Sequence, residues 1–317
     1  MQDARLPKID LLAIGELLVD MISTKPTDSL ATAAQFERYQ GGSPANIAVN
    51  VAHLGGRAAM MARVGDDPLG AFLREALTEA GVQIEEVQID PDAHTSVVLV
   101  ARTPTTPDFL PMRDADFRLE PEDLASSVAG ARAVHTSTWP LSREPARQCA
   151  RQAMQRAYEQ DKLTSLDPNY TPRIWPDRRE ALAVLGEVLP YVTVTKPSQD
   201  DAERLFAETL PPHEVIRRFH ALGPPIVLFT MGAEGMILSV DGEMTHIPAR
   251  ELEVADATGA GDAFWSGFLM AYLDDLPPVH CAYVARELAE RKLQTVGPLP
   301  EMQNRTEVYA KAEAAMT

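Results

Sequence analysis

A run of small residues beside two aspartates is the part of the sequence best suited to chemistry. It contains Asp256, Thr258, 259–261 (Gly-Ala-Gly) and Asp262, and it leads into residues 263–273, which are apolar on every side. A helix that is apolar all round is a buried one. Small residues at its start expose N–H groups that no helical carbonyl satisfies, and the helix dipole adds positive potential there. The pattern therefore predicts an anion site suited to a phosphoryl group.

Asp262 falls in the first turn of this predicted helix. A carboxylate at that position stays ionised and can accept the proton of a substrate hydroxyl. A base beside a stabilised phosphate is what phosphoryl transfer to an alcohol needs. We therefore predict that Asp262 is a general base and that Gly259, Ala260 and Gly261 hold the phosphoryl oxygens. The structural alternative is a glycine-rich turn that only leads into a core helix.

A second polar stretch begins at Gly41 and Gly42. Ser43 is a plausible N-cap and Pro44 suits the first helical position, so a helix is predicted to follow. Glycine lets a ligand approach the backbone, and the amide of Asn46 can donate one hydrogen bond and accept another. These properties suit the recognition of a polyhydroxylated ligand.

Together these motifs resemble a known family. Residues 256–262 are similar to the second signature of the ribokinase-like (PfkB) carbohydrate kinases, and residues 41–66 are similar to the first. The likeness extends from Gly15 over most of the chain. The pattern Asp-x-Asn with a later Trp in 167–175 is most similar to the fructokinase and 2-keto-3-deoxygluconate kinase branches. The resemblance implies a sugar kinase that uses ATP with Mg²⁺.

The resemblance also implies roles for individual residues. Seven are expected to bind the substrate: Asp20, Gly41, Gly42, Asn46, Arg113, Asp167 and Asn169. Four are expected to border ATP: Thr230, Gly232, Gly235 and Thr258. Asp201 stands at the acidic end of the family's Asn-x-x-Glu motif, where Ser198 replaces the asparagine, and it is expected to bond a magnesium-bound water. Asp20 as an exposed residue at a strand end and Arg113 as a solvent-facing residue on an edge strand are alternatives that the sequence leaves open.

Composition limits the classes of partner and compartment. The chain has 317 residues and a net charge of −17, and 45% of its residues are hydrophobic. An acidic surface repels nucleic acid and anionic membranes, so neither is an expected partner. Cys149 and Cys281 show no metal or redox spacing and suit a reducing compartment. No signal-peptide pattern or run of transmembrane length is visible, and the cytoplasm is the expected location.

Strand-like and helix-like segments alternate along most of the chain. This alternation predicts a mainly parallel sheet with helices on both faces, a Rossmann-like α/β fold of the ribokinase type. Between 95 and 118 the helical period disappears, and with 16–40 this segment is expected to form a small β lid. We interpret residues 1–317 as a single kinase domain with that lid.

Three functions remain for testing. The first is an ATP-dependent sugar kinase, most similar to fructokinase, with 2-keto-3-deoxygluconate kinase, ribokinase and nucleoside kinase as alternatives. The second is a catalytically silent sugar-binding regulatory protein. The third is a nucleotide-cofactor oxidoreductase, which the missing Gly-x-Gly-x-x-Gly fingerprint disfavours. A homodimer and a monovalent-cation requirement are left open by the sequence.

Overall fold

The computed structural model describes residues 9–27, 29–103, 108–255, 257–295, 299 and 303–316. Asp256 lies outside the described residues. The strands of the described part, in chain order, are β1 (Ile9–Ile14), β2 (Leu18–Ser23), β3 (Phe36–Gly41), β4 (Ala58–Gly65), β5 (Val87–Asp90), β6 (Val97–Val100), β7 (Phe109–Met112), β8 (Ala131–Ser137), β9 (Leu163–Asp167), β10 (Val194–Thr195), β11 (Ile226–Thr230), β12 (Met236–Val240) and β13 (Glu243–Ile247). Its helices are α1 (Ser43–His53), α2 (Pro68–Glu79), α3 (Leu124–Ala129), α4 (Thr138–Leu141), α5 (Ala146–Tyr158), α6 (Arg178–Val188), α7 (Gln199–Phe206), α8 (Pro212–Ala221), α9 (Ala260–Leu273), α10 (Pro278–Leu293) and α11 (Arg305–Ala314).

The larger sheet has the strand order β13-β12-β11-β10-β9-β8-β1-β4-β5. Across this sheet, every neighbouring pair between the edge strand β5 and β11 is parallel. The strands β12 and β13 extend the sheet as an antiparallel hairpin. The strand β1 therefore lies inside the sheet, between β8 and β4. Chain order reverses on the two sides of β1, and such a point leaves a crevice at the carboxyl ends of the strands.

Successive side chains of β1 enter two different cores, because side chains alternate between the faces of a strand. Leu11 and Ala13 pack with residues of α1, α9 and α10. Leu12 and Ile14 pack with residues of α5, α6 and α8 on the opposite face. All four side chains are fully buried. The prediction of a mainly parallel sheet covered by helices on both faces is confirmed.

The smaller sheet forms the predicted lid and has the order β3-β2-β6-β7. Its two halves come from the expected segments, 16–40 and 95–118, with β3 ending one residue later at Gly41. The two antiparallel pairs are β2–β3 and β6–β7, and the parallel pairing of β2 with β6 joins them. Residues 104–107, in the predicted Thr-Pro-rich connection, lie outside the described part of the chain.

The predicted all-apolar helix is α9, and it is buried along almost its whole length. Trp265 and Phe268 are fully buried and stack with ring centroids 5.3 Å apart. The helix packs between α1 and α10. These contacts fix α9 against two other helices, so the position of its first turn is set by the core. In the described part of the chain, no helix has the length and apolar character needed to cross a membrane.

Candidate active site

The first turn of α9 lies between two cavities. Gly259 borders a cavity of about 470 Å³ that Asp20 and Asn46 also line, whereas Ala260 and Gly261 border a cavity of about 1290 Å³. Gly259 has a φ of +76°, a left-handed conformation that glycine adopts without a steric penalty. The predicted anion site therefore faces two ligand-sized spaces. Group transfer from one ligand to another needs such a shared boundary.

Asp262 receives one hydrogen bond on each carboxylate oxygen. Ser43 Oγ donates to Oδ1 over 2.6 Å, and Asn46 Nδ2 donates to Oδ2 over 2.8 Å. Burial raises the pKa of Asp262, and the two donors and the charge of Lys196 oppose that rise. Hydrogen bonds donated to both oxygens stabilise the ionised form of a carboxylate. That form is the one a general base requires.

Lys196 forms a buried ion pair beside the same turn. Its Nζ lies 2.9 Å from Oδ2 of Asp167, and the two side chains are 7% and 4% exposed. Burial alone would lower the pKa of Lys196, but the attraction of Asp167 and other nearby carboxylates raises it. A Cβ added to Gly261 would come within 3.8 Å of the Lys196 Nζ, so the ammonium group lies close to the anion site. Lys196 also lines the larger cavity.

Asp20 lies on the lid strand β2 and lines the smaller cavity. Burial and the negative charge of Asp262 raise its pKa to about 7. A Cβ at Gly41 would lie 2.2 Å from Oδ2 of Asp20, and a Cβ at Gly42, where φ is +100°, would lie 2.3 Å from the Glu16 carbonyl oxygen. The two glycines, expected to admit sugar to the backbone, also make room for the Asp20 carboxylate and the Glu16 backbone.

Glu16 is a buried residue that contacts the start of α1. It is 1% exposed, and its carboxyl accepts hydrogen bonds from the Ser43 N–H at 3.3 Å and from Ser137 Oγ at 3.1 Å. Burial raises the pKa of Glu16 to about 8. Because Ser43 in turn holds Asp262, Glu16 fixes the loop that positions the predicted base.

We expect Glu16→Gln to flatten the dependence of stability on pH. The pKa of Glu16 rises from 4.5 to about 8 on folding, so its contribution to stability is complete below pH 4.5 and is lost as the pH rises toward 8. Across that window this group alone should lower the free energy of unfolding by about 1.4 kcal/mol per pH unit. Glutamine does not titrate, so the variant lacks that slope.

Urea unfolding at pH 5, 6.5 and 8 measures the difference. The exposed Glu75→Gln on α2 is the matched control and should follow the unchanged protein. Equal slopes for the unchanged protein and Glu16→Gln would contradict the raised pKa of Glu16.

The larger cavity contains most of the predicted ATP-binding residues. Thr230 at the end of β11 lines it together with Gly232 and Gly235 just beyond, and Arg286 and Glu290 of α10 line it from another side. Thr258 was also expected to border ATP, but the structure places it in the lining of the smaller cavity. Thr258 directly precedes Gly259, and both residues line the smaller cavity. Their shared position explains why Thr258 does not line the larger one.

Arg113 does not contact the predicted sugar cavity through its guanidinium group. Nε donates to Asp116 at 2.8 Å, Nη1 donates to Ser142 Oγ at 2.6 Å, and Nη2 donates to the Trp139 carbonyl at 3.3 Å. The side chain is 7% exposed and the Asp116 side chain is fully buried. The sequence could not show this buried ion pair. Through its contacts with Trp139 and Ser142, Arg113 joins the lid to α4.

The structure shows the surroundings of three further predicted residues. Asp201 accepts a hydrogen bond from the Tyr170 N–H on Oδ1 and two from the Ser198 N–H and Oγ on Oδ2. The side chains of Ser198 and Asp201 also form a capping box at the start of α7. Both oxygens therefore already accept hydrogen bonds from the fold, and the bond from Asp201 to a magnesium-bound water stays a prediction. Asn169 is exposed and has a φ of +35°. The predicted substrate residue Asp167 pairs with Lys196 through Oδ2, whereas its buried Oδ1 has no hydrogen-bond partner among the described residues.

Sequence reasoning missed Lys196 and Glu16. Lys196 follows directly after β10, and lysine is almost never buried unless it is paired, so a lysine at the end of an apolar run was the available signal. Glu16 follows the glycine that ends β1 and offered no comparable pattern. Its role depends on Ser43 and Ser137, which are 27 and 121 residues away.

Comparison with known proteins gives a consistent result. The model of the "pfkB family carbohydrate kinase" matches residues 8–304. The chain is 36% identical over 296 residues to the ATP-dependent 6-phosphofructokinase of Thermoanaerobacterium thermosaccharolyticum, covering 93% of this chain and 91% of that protein. It is similar to the structure of Halothermothrix orenii fructokinase, with a TM-score of 0.79 and 37% identity over 91% of this chain and 99% of that one. A Pyrococcus horikoshii sugar kinase in complex with ATP gives a TM-score of 0.83 with 26% identity, over 95% and 99% of the two chains.

Proposed function

The chain belongs to the pfkB family of carbohydrate kinases, and from that membership and the geometry we propose that it transfers the γ-phosphoryl group of ATP to a hydroxyl of fructose. The observation that carries the proposal is the position of Asp262. It accepts two hydrogen bonds at the start of a buried helix whose first turn lies between two cavities. The smaller cavity holds the sugar and the larger one holds the nucleotide.

Each residue of the boundary has a distinct task. The sugar hydroxyl approaches Asp262, whose carboxylate takes its proton as the oxygen attacks the γ-phosphorus. The backbone N–H groups of Gly259 and Gly261 are assigned to the charge that develops on the phosphoryl oxygens, and the helix dipole acts in the same sense. The N–H of Ala260, predicted to share this role, donates to the Ala257 carbonyl at 3.2 Å in this structure. Lys196 adds a full positive charge from the nucleotide side. Closing of the lid excludes water, which strengthens these interactions.

The smaller cavity suits a polyhydroxylated ligand. Asp20 and Gln40 come from the lid, and Asn46 comes from α1, so hydrogen-bonding groups surround the space from more than one element. A carboxyl with a pKa near 7 can accept or donate toward a sugar hydroxyl near neutral pH. Gly41 and Gly42 complete the substrate loop. Arg113, Asp167 and Asn169 have other surroundings, and we assign them no direct contact with the sugar.

The larger cavity is assigned to ATP, which is expected to bring Mg²⁺ with it. Within the described residues no cluster of three or more His, Cys, Asp or Glu side chains could form a metal cage. Mg²⁺ commonly binds through substrate phosphates and waters with few protein ligands, which fits this donor set. When bound, Mg²⁺ neutralises charge on the β- and γ-phosphates. Thr230, Gly232 and Gly235 border the nucleotide.

A second acceptor, fructose 6-phosphate, is favoured by one observation. The side chain of Arg102 is exposed where the two cavities meet, and it lines both of them. A guanidinium group there can pair with a phosphate on the sugar. The relative from Thermoanaerobacterium is named for that acceptor. Glu37, which lines the same cavity, carries the opposite charge and favours the neutral sugar.

A coupled assay of ADP release tests the proposal. The acceptors are fructose, fructose 6-phosphate, 2-keto-3-deoxygluconate, ribose and adenosine, each with ATP and Mg²⁺. Highest kcat/KM with fructose supports the proposal, and highest kcat/KM with fructose 6-phosphate selects the second candidate. Sugar binding without ADP release from any acceptor would instead support a catalytically silent regulatory protein.

The lid should become protected from hydrogen exchange when both ligands are present. Fructose with a non-hydrolysable ATP analogue is expected to slow exchange of the amides in β6 and β7, because closing excludes water from the transferring group. The exposed edge strand β13 is the internal control and should exchange equally fast with and without ligands. Unchanged exchange in β6 and β7 at saturating ligand would refute a mobile lid.

A further inference from the structure

A directed chain of hydrogen bonds connects the lid to Asp262. Gln40 Nε2 donates to the Gly41 carbonyl at 3.1 Å and to Asn46 Oδ1 at 3.0 Å. Asn46 Nδ2 then donates to Asp262 Oδ2 at 2.8 Å. Gln40 belongs to β3, Asn46 to α1 and Asp262 to α9. Three separate elements therefore meet through two side-chain amides.

The direction of this chain follows from the chemistry of its members. A backbone carbonyl can only accept, so the Gln40 atom beside Gly41 O must be the NH₂ group. That NH₂ needs an acceptor in Asn46, which orients the Asn46 oxygen toward Gln40 and its nitrogen toward Asp262. The carbonyl of Gly41 thus fixes the orientation of both amides. At the far end it requires that Asp262 act as an acceptor.

We infer that Gln40 is a positioning residue that holds the Asn46 amide with its N–H₂ toward Asp262 and thereby keeps the catalytic base ionised. This inference rests on the proposed function, in which Asp262 takes the proton of the sugar hydroxyl. Without Gln40 the Asn46 amide can turn and present its oxygen to Asp262. Two acceptors at that separation are compatible only with a protonated Asp262.

Other groups near Asp262 act on it independently of Gln40. Ser43 donates to Oδ1, and the positive charge of Lys196 favours the ionised form of Asp262. Asp20 and Asp167 are close enough for their charges to interact with that of Asp262. None of these groups is bonded to Gln40. A change at Gln40 therefore reaches Asp262 through Asn46, and that route is testable.

A double-mutant cycle with Gln40→Leu and Asn46→Ala tests the inference. The readout is kcat/KM for the preferred sugar between pH 4.5 and 8. Gln40→Leu should lower kcat/KM at pH 7 by about 3- to 10-fold, the value of one hydrogen bond, and should move the acid limb of the profile to higher pH by about half a unit. In the Asn46→Ala background, Gln40→Leu should have no further effect on either quantity.

The control is Gln35→Leu, which removes an exposed glutamine just before β3 and should leave the profile unchanged. Independent, multiplicative effects of Gln40→Leu and Asn46→Ala would overturn the inference, as would a lowered kcat/KM with an unmoved acid limb. Failure of the unchanged protein to release ADP with any acceptor would instead overturn the proposed function. The two failures are therefore distinguishable by separate measurements.

Discussion

Asp262→Asn is expected to lower kcat by about 10²- to 10⁴-fold, the usual contribution of a positioned general base. Asparagine has nearly the same shape, and its oxygen can still accept from Ser43 or Asn46, so folding and sugar binding should persist. It cannot take the proton of the sugar hydroxyl. Steady-state kinetics with the preferred sugar, together with calorimetric measurement of sugar binding, separate these effects.

The matched control for this variant lies at the other end of the same helix. Asp275 is exposed just after α9 and has a φ of +62°, a conformation that asparagine tolerates. Asp275→Asn should therefore retain normal kcat and thermal stability. Near-normal kcat in Asp262→Asn would show that another group removes the proton, and the assignment of the base would be wrong.

Lys196→Met should cause the second large loss, and it should affect both activity and stability. Removing the ammonium group takes away a positive charge beside the phosphoryl site, which typically costs about 10²- to 10³-fold in kcat. It also leaves the buried Asp167 carboxylate without its partner. Breaking a buried ion pair from one side commonly costs about 3–5 kcal/mol of folding free energy.

A second substitution separates the two losses. Lys196→Met combined with Asp167→Asn removes the uncompensated charge, so much of the stability should return while kcat stays low. Urea unfolding and steady-state kinetics on the single and double variants provide the measurements. Recovery of kcat together with stability would mean that Lys196 acts only through the fold.

The helix start proposed as the anion site was predictable because its signal is local. Gly259, Ala260 and Gly261 precede an apolar run in the sequence itself, and Asp262 falls in the first turn of that helix whatever surrounds it. The parallel sheet was predictable for a similar reason, since each strand is a short apolar run closed by turn residues. The lid followed from the loss of helical periodicity between 95 and 118.

The supporting residues were not predictable, because their roles depend on contacts between distant segments. Ser43 and Asp262 are 219 residues apart, and the sequence gives no reason to pair them. Arg113 shows the same limit from the other side: its position resembles that of a substrate residue, and the sequence does not show that Asp116, three residues later, pairs with it. A pattern can indicate a charged side chain, whereas only the fold shows which partner that charge has.

The place of β1 in the sheet has a consequence for synthesis of the chain. β1 pairs with β4 on one side and with β8 on the other, so its second partner, Ala131–Ser137, is translated more than a hundred residues later. At about 5–20 residues per second, that interval is on the order of ten seconds. During this interval the nascent chain carries an apolar strand with one unpaired edge. Such an edge can pair with strands of other chains. We therefore expect a ribosome-stalled fragment ending before residue 131 to recruit chaperones more strongly than one that includes β8.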